Sequence, residues 1–235
     1  MAEQRSPKPL ARVRFLVPPL SFRLIAELRR ASPKMEQNNL KKIYAFILPK
    51  TRLNRSLRVL ITVNAILVFI MGLFAPFYAV FVQRIGGNVA FAGLSWAVFS
   101  IVSGALIFLF SNWQLKVKEP ELLIALGYIL RGGVFISYAF MASISQLMIT
   151  QVFWGVAVAL GTPAFDSVYA NHTNKESSIV EWGRWEGIAA IVAGVAALTG
   201  GLIIQAFGYE VIFIAMAVIS VGLGVYVWRL PRELL

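Results

Sequence analysis

"LIALGYILRGGVFISYAFMAS" (residues 123–143) is apolar almost from end to end, yet Arg131 sits near its middle. No charged residue follows until Asp166. An apolar run of about 18 or more residues is long enough to cross the hydrocarbon core of a bilayer. The stretch therefore poses two linked questions: whether lipid surrounds it, and how a guanidinium is accommodated there.

The rest of the chain answers the first question. Of its 235 residues 58% are hydrophobic and only 14% charged, where a soluble domain has about a quarter charged. Residues 59–83, 85–115, 132–165, 187–209 and 211–228 contain no charge. This is the composition of a multi-spanning membrane protein. There is no Cys and a single His, His172, so disulfide, thiolate and His/Cys metal chemistry have no residues to use. No metal, cofactor or catalytic residue is expected. The segments also lack a membrane-embedded His, a His-Glu-x-x-His motif and paired aspartates, which disfavours an intramembrane enzyme.

The net charge of +11 is concentrated at one end. Residues 1–58 hold 14 Lys/Arg against Glu3, Glu27 and Glu36, and the remainder is balanced at eight of each sign. Such an excess can serve nucleic acid, but no nucleic-acid-binding module accompanies it and no nucleic-acid partner is expected. Beside a membrane helix it reads as a cytoplasmic anchor on anionic lipid. Residues 1–55 are accordingly a basic cytoplasmic segment, partly disordered or an interfacial helix. An Arg-rich transit peptide within residues 1–34, or translation from Met35, are the alternatives.

Polar and glycine clusters divide residues 56–230 into six spans, leaving 231–235 as a cytoplasmic tail. "QRIGGN" (83–88) separates a first span, 57–82, from a second, 89–113, and "QLKVKEPE" (114–121) separates the second from the third. Residues 121–170 are too long for one crossing at about 1.5 Å per residue, so "MASISQ" (141–146) is read as a tight turn between the third and fourth. "NHTNKESS" (171–178) and "FGYE" (207–210) close the fourth and fifth. With a cytoplasmic N-terminus, Lys116, Lys118, Lys175, Arg184, Arg229 and Arg232 fall on the cytoplasmic side, and Arg84 alone on the other. The positive-inside rule then predicts both termini in the cytoplasm, most simply at a plasma (inner) membrane.

The two three-helix halves resemble each other. At an offset of 90, Gly93/Gly183, Ile101/Ile191, Val102/Val192 and Gly104/Gly194 are identical, and the first and fourth spans carry Pro76 and Pro163 in their last third. Each half starts from the opposite side of the membrane, so the pattern predicts an inverted 3+3 repeat, an arrangement used by secondary transporters.

The chain resembles the major facilitator superfamily, specifically one six-helix half of it. In "LMITQVFWGVAVA" (147–159), Leu147, Gly155, Ala157 and Ala159 match a fourth-helix pattern of that family, with Gln151 standing where its proton-linked arginine often stands. Gly200, Gly201 and Ile203 match the end of its antiporter pattern, in which Ala196-Ala197 replaces Gly-Pro. The family's loop 2–3 signature appears as "FLFSNWQLK", with Asn112 for the acid and Lys116 the one retained base. The resemblance implies a secondary transporter moving a small solute by alternating access, with spans 1, 2, 4 and 5 around a cavity and span 3 outside it. A non-transporting membrane subunit or scaffold of a larger assembly is the rival.

The candidate substrate-binding or coupling residues are Asn64, Trp96, Arg131, Gln151, Trp154, Asp166 and Glu186, polar, aromatic or charged groups within apolar spans. Arg131 lies ten residues past Glu121, roughly 15 Å into a core about 30 Å thick. A carboxylate partner is the cheapest way to keep it there; Glu186 ranks first and Asp166 second. Such a pair is either a structural tie between helices or a functional site. The small-residue series Gly187, Gly194, Gly201 and Gly93, Ala97, Ser100, Gly104 are expected to pack the half together by close backbone approach. One half has no opposing wall, so a second copy in a parallel homodimer, or a non-identical half, is expected to supply it. Its other partners are the lipid bilayer and the solute.

Overall fold

In a computed structural model of the protein, residues 53–232 are described; residues 1–52 and 233–235, and with them most of the basic segment and part of the tail, lie outside the described residues. Among the described residues the fold is all-helical, with six helices long and apolar enough to cross a membrane. They are α1 (Arg55–Arg84), α2 (Val89–Gln114), α3 (Pro120–Ala139), α4 (Ile144–His172), α5 (Ser178–Phe207) and α6 (Tyr209–Arg229). Each agrees with the expected span to within a few residues.

Local chemistry sets the boundaries. The side chain of Asn54 accepts from the Leu57 N–H at 2.7 Å and that of Asn88 from the Phe91 N–H at 3.0 Å, each satisfying a first-turn donor that the helix cannot. Pro120 opens α3, where its missing N–H costs nothing. The turn expected at 141–146 is shorter, because Ser143 caps α4 so that the helix begins at Ile144. At the far end only Gly208 separates α5 from α6, with φ +82°, a conformation natural to glycine. Residues 173–177 are fastened by Glu181: its carboxylate accepts from the Asn174 N–H and the Ser177 hydroxyl, and its carbonyl from Tyr169. Glu181 is thus buried and committed to the loop.

Pro76 breaks α1. A 3-10 turn over Ala75–Phe77 divides the span into Arg55–Phe74 and Tyr78–Arg84, since proline cannot donate to the carbonyl four residues back. Pro163, in contrast, lies within an unbroken α4.

The packing is uneven. α3 meets α6 over the longest shared face and also packs on α4, while α2 lies on α4 and α5 on α1. The tightest approaches are made at small residues. A β-carbon on Gly127 would lie 2.7 Å from the Gly161 Cα, and one on Gly200 only 2.0 Å from the Leu73 carbonyl oxygen. Gly132 and Gly224 bring α3 and α6 together in the same way. The series expected to pack α2 and α5 inside the half do not do so. Gly93, Gly104, Gly187 and Gly194 face open space, and only Gly201 of that set has a neighbour, the Phe77 ring. The reason is rotational: α5 turns its Ala196/Gly200 edge, not its Gly187/Gly194 edge, onto α1. Buried residues make up 11% of an 18-residue apolar stretch in each of α2 and α5, against 39–56% in the other four helices.

Ion pairs among the described residues join the ends of the bundle. Arg84 meets Glu210 at 2.9 Å, placing loops α1–α2 and α5–α6 at one end, and Arg232 meets Glu119 at 3.2 Å, placing loop α2–α3 beside the C-terminal end of α6. Both pairs are exposed and contribute little stability, but their positions agree with six crossings.

Replacing Gly200 or Gly127 by Ala should therefore destabilise the fold by about 1–3 kcal/mol through overpacking. Gly187→Ala should leave stability unchanged or slightly raised. Thermal unfolding of monomeric protein in detergent, followed by circular dichroism, checks the contrast.

Candidate functional site: a polar core beneath an aromatic cavity

A cavity of about 390 Å³ opens between α1, α2, α3, α4 and α5. The break in α1 contributes Ala75 and Tyr78 to its wall. Trp96 and Phe99 come from α2, Arg131 from α3, Gln151 and Trp154 from α4, and Ala193 from α5. The aromatic rings meet edge to face: Trp96 with Tyr78 at 6.0 Å and with Phe99 at 5.3 Å, and Phe99 with Trp154 at 5.8 Å. Such a geometry fixes the rings against one another and gives the cavity a stiff wall.

Beneath it runs a relay of hydrogen bonds. The Gln151 amide donates to the Tyr138 hydroxyl at 3.2 Å and, by a short bond, to the Tyr78 hydroxyl. Tyr78 is in turn bonded to Ser95, whose hydroxyl donates to the Ala92 carbonyl at 3.0 Å. The relay therefore ties α1, α2, α3 and α4 at one point. Gln151 is 2% exposed and Ser95 0%, so the partners that each finds here replace water that is absent.

Arg131 stands at the other side. It is 6% exposed, donates from Nη2 to the Thr162 hydroxyl at 3.0 Å, and lies over the Tyr128 ring at 5.7 Å. It lines the aromatic cavity and also a smaller one of about 200 Å³ shared with Asn64, Thr162 and Asp166. Tyr128 donates to Asn64 at 3.1 Å across that second space. A larger groove of about 530 Å³, lined by Arg55, Arg58 and Tyr226, lies between α1 and α6, away from this polar core.

The expected carboxylate pair is not formed. Among the described residues no ion pair involves Arg131. Thr162, one turn before Asp166 on the same face of α4, takes the guanidinium, while Asp166 is exposed although it borders the smaller cavity. Glu186 is exposed and lines neither cavity. The structure thus gathers Trp96, Arg131, Gln151 and Trp154 around one cavity and Asn64, Arg131 and Asp166 around the next, with Glu186 outside both linings but near enough to Asp166 for the two carboxylates to repel. Tyr128, Tyr138, Thr162 and Ser95 are additional polar members. The two tyrosines were within reach of helical spacing, since residues 128, 131, 135 and 138 share one face of α3. Ser95 gave no comparable signal.

Gln151→Leu should leave the buried Tyr138 hydroxyl without a partner and cost about 1–3 kcal/mol. Adding Tyr138→Phe should restore part of the loss, which a double-mutant cycle of thermal stabilities measures.

Comparison with known proteins agrees with this architecture. The family model described as Major Facilitator Superfamily matches residues 60–234. Over 151 residues the chain is 24% identical to the uncharacterized MFS-type transporter YitZ of Bacillus subtilis (strain 168), covering 64% of this chain and 92% of that protein. No solved structure matches the chain. With the family model spanning all six membrane helices, the chain belongs to the major facilitator superfamily, and is a multi-pass membrane protein of the transporter class.

Proposed function

We propose that the chain forms one six-helix half of a secondary transporter that moves a small solute by alternating access. The observation that carries this reading is the uneven burial: α2 and α5 flank the cavity yet are the least covered helices. Their outward faces carry Ile101 and Ile191, 70% and 71% exposed, among open glycines. These are the same positions that match at an offset of 90, which favours an inverted 3+3 repeat with α2 and α5 as counterparts. Small residues free of neighbours are where another helix can approach closely in lipid. A second half seated there closes the cavity, and the two rock about it. The 151 aligned residues make up 92% of the Bacillus subtilis relative, so that protein too has room for about one set of six 20-residue spans.

The charge bias of the loops gives every copy one orientation, with both termini in the cytoplasm. Two copies then insert parallel and are related by a two-fold axis along the membrane normal, the commonest oligomeric symmetry. A parallel homodimer satisfies this, and a non-identical half offers the same geometry. Trp96, Arg131, Gln151 and Trp154 are the solute-facing residues; Asn64 and Asp166 lie in the adjoining lobe, and Glu186 is kept as a coupling residue on the exposed side of α5. Arg131 binds more than it braces, since no carboxylate among the described residues holds it.

The rival reading, a non-transporting subunit or scaffold, predicts no flux. Purified protein in liposomes, screened for counterflow of labelled small solutes, should show saturable exchange of at least one solute class. Its loss in Trp154→Ala, with folding intact, is the expected control. Absence of exchange across the screen favours the scaffold.

A further inference from the structure

Arg131 presents a charge problem that the protein's own described residues leave unsolved. Its guanidinium has five N–H donors, and among the described residues one hydrogen bond is made, to Thr162. A cation at mid-membrane depth is costly unless neutralised, and the Tyr128 ring supplies a cation–π attraction but no negative charge. The head lines two cavities, so its remaining donors have space before them. No second Lys, Arg or His lines either one.

The wall opposite determines what anion fits. Phe74, Tyr78, Trp96, Phe99 and Trp154 face the same 390 Å³ space, enough for a small organic molecule but near the lower end of ligand pockets. A flat apolar body gains by stacking there, whereas a fully hydrated inorganic anion does not. A single cation balances a single negative charge. A polyanion would leave charge unneutralised and would meet Asp166 in the adjoining lobe.

We propose that Arg131 anchors the carboxylate of an organic monoanion whose flat apolar body lies against this aromatic wall. The inference rests on the transporter reading above and assigns its substrate class. The guanidinium's planar fork holds a carboxylate in two parallel bonds. Thr162 keeps the head aimed at the cavity. Asp166 places a negative charge in the adjoining lobe, which opposes a second anion there.

The test uses the full chain in detergent with benzoate, phenylacetate and indole-3-acetate against their neutral amides. Thermal shift reads binding, and quenching of tryptophan fluorescence gives a second readout of it. At least one acid should bind about tenfold or more tighter than its amide. Arg131→Gln should remove that preference, Arg131→Lys should weaken it, and Asp166→Asn should strengthen acid binding. Acids and amides binding alike, or Arg131→Gln binding acids as well as the unaltered protein, overturns the assignment. So does inorganic phosphate displacing the acids at equal concentration. If Arg131→Gln does not fold, the acid–amide contrast in the unaltered protein decides alone. Binding is read without flux: exchange with no acid preference removes the anion assignment and leaves the transporter reading, and acid preference with no exchange does the reverse.

Discussion

Helices in lipid gain nothing from excluding water, so what brings them together is backbone proximity at small residues. In this protein that constraint decides the rest. Gly127 against Gly161, Gly200 against Leu73, and Gly132 and Gly224 between α3 and α6 set the closest approaches. With α3 held against both α4 and α6, Arg131 is drawn into the interior beside Thr162 rather than toward either surface. The glycines of α2 and α5 that make no contact within the half are then available to a neighbour.

The polar groups follow the same logic. Gln151, Tyr78, Tyr138 and Ser95 satisfy one another across four helices, and they meet where Pro76 interrupts α1. A helix break in a membrane is tolerated where it borders a cavity or is buried in protein, and here Ala75 and Tyr78 line the aromatic cavity. One cation, one amide and a ring of aromatic side chains are therefore assembled by contacts that also hold the bundle together. Substitutions at Gln151 or Tyr138 will accordingly disturb the fold and the cavity together, whereas Trp96, 55% exposed, is freer to change the cavity alone.

Six spans were legible in the sequence because uncharged length and positive charge in the loops are strong one-dimensional signals. The cavity side of α4 was legible at Gln151 and Trp154, since a buried amide and indole stand out in an apolar run. Partnerships across helices were not. Glu186 and Asp166 were reasonable partners for Arg131 on charge alone, but rotation about each helix axis decides contact, and Thr162 occupies the position. The glycine series misled for the same reason: a seven-residue spacing identifies a face of α5 without saying whether its own half or another lies against it. Tyr128 and Tyr138 were hidden by their ordinary appearance in a membrane helix, and only their register with Arg131 marked them.

Whether the α2/α5 face meets a second six-helix half can be read by disulfide crosslinking in native membranes, since the chain has no cysteine of its own. Single cysteines at Ile101 and Ile191, on that face, are compared with single cysteines at Ile136 and Ile214, exposed on α3 and α6. A second half seated on this face gives rapid crosslinking from the α2/α5 positions, to a second copy or to another six-helix half, and little from α3 and α6. Equal crosslinking at all four positions, or none at Ile101 and Ile191 in protein that still exchanges solute, would contradict it.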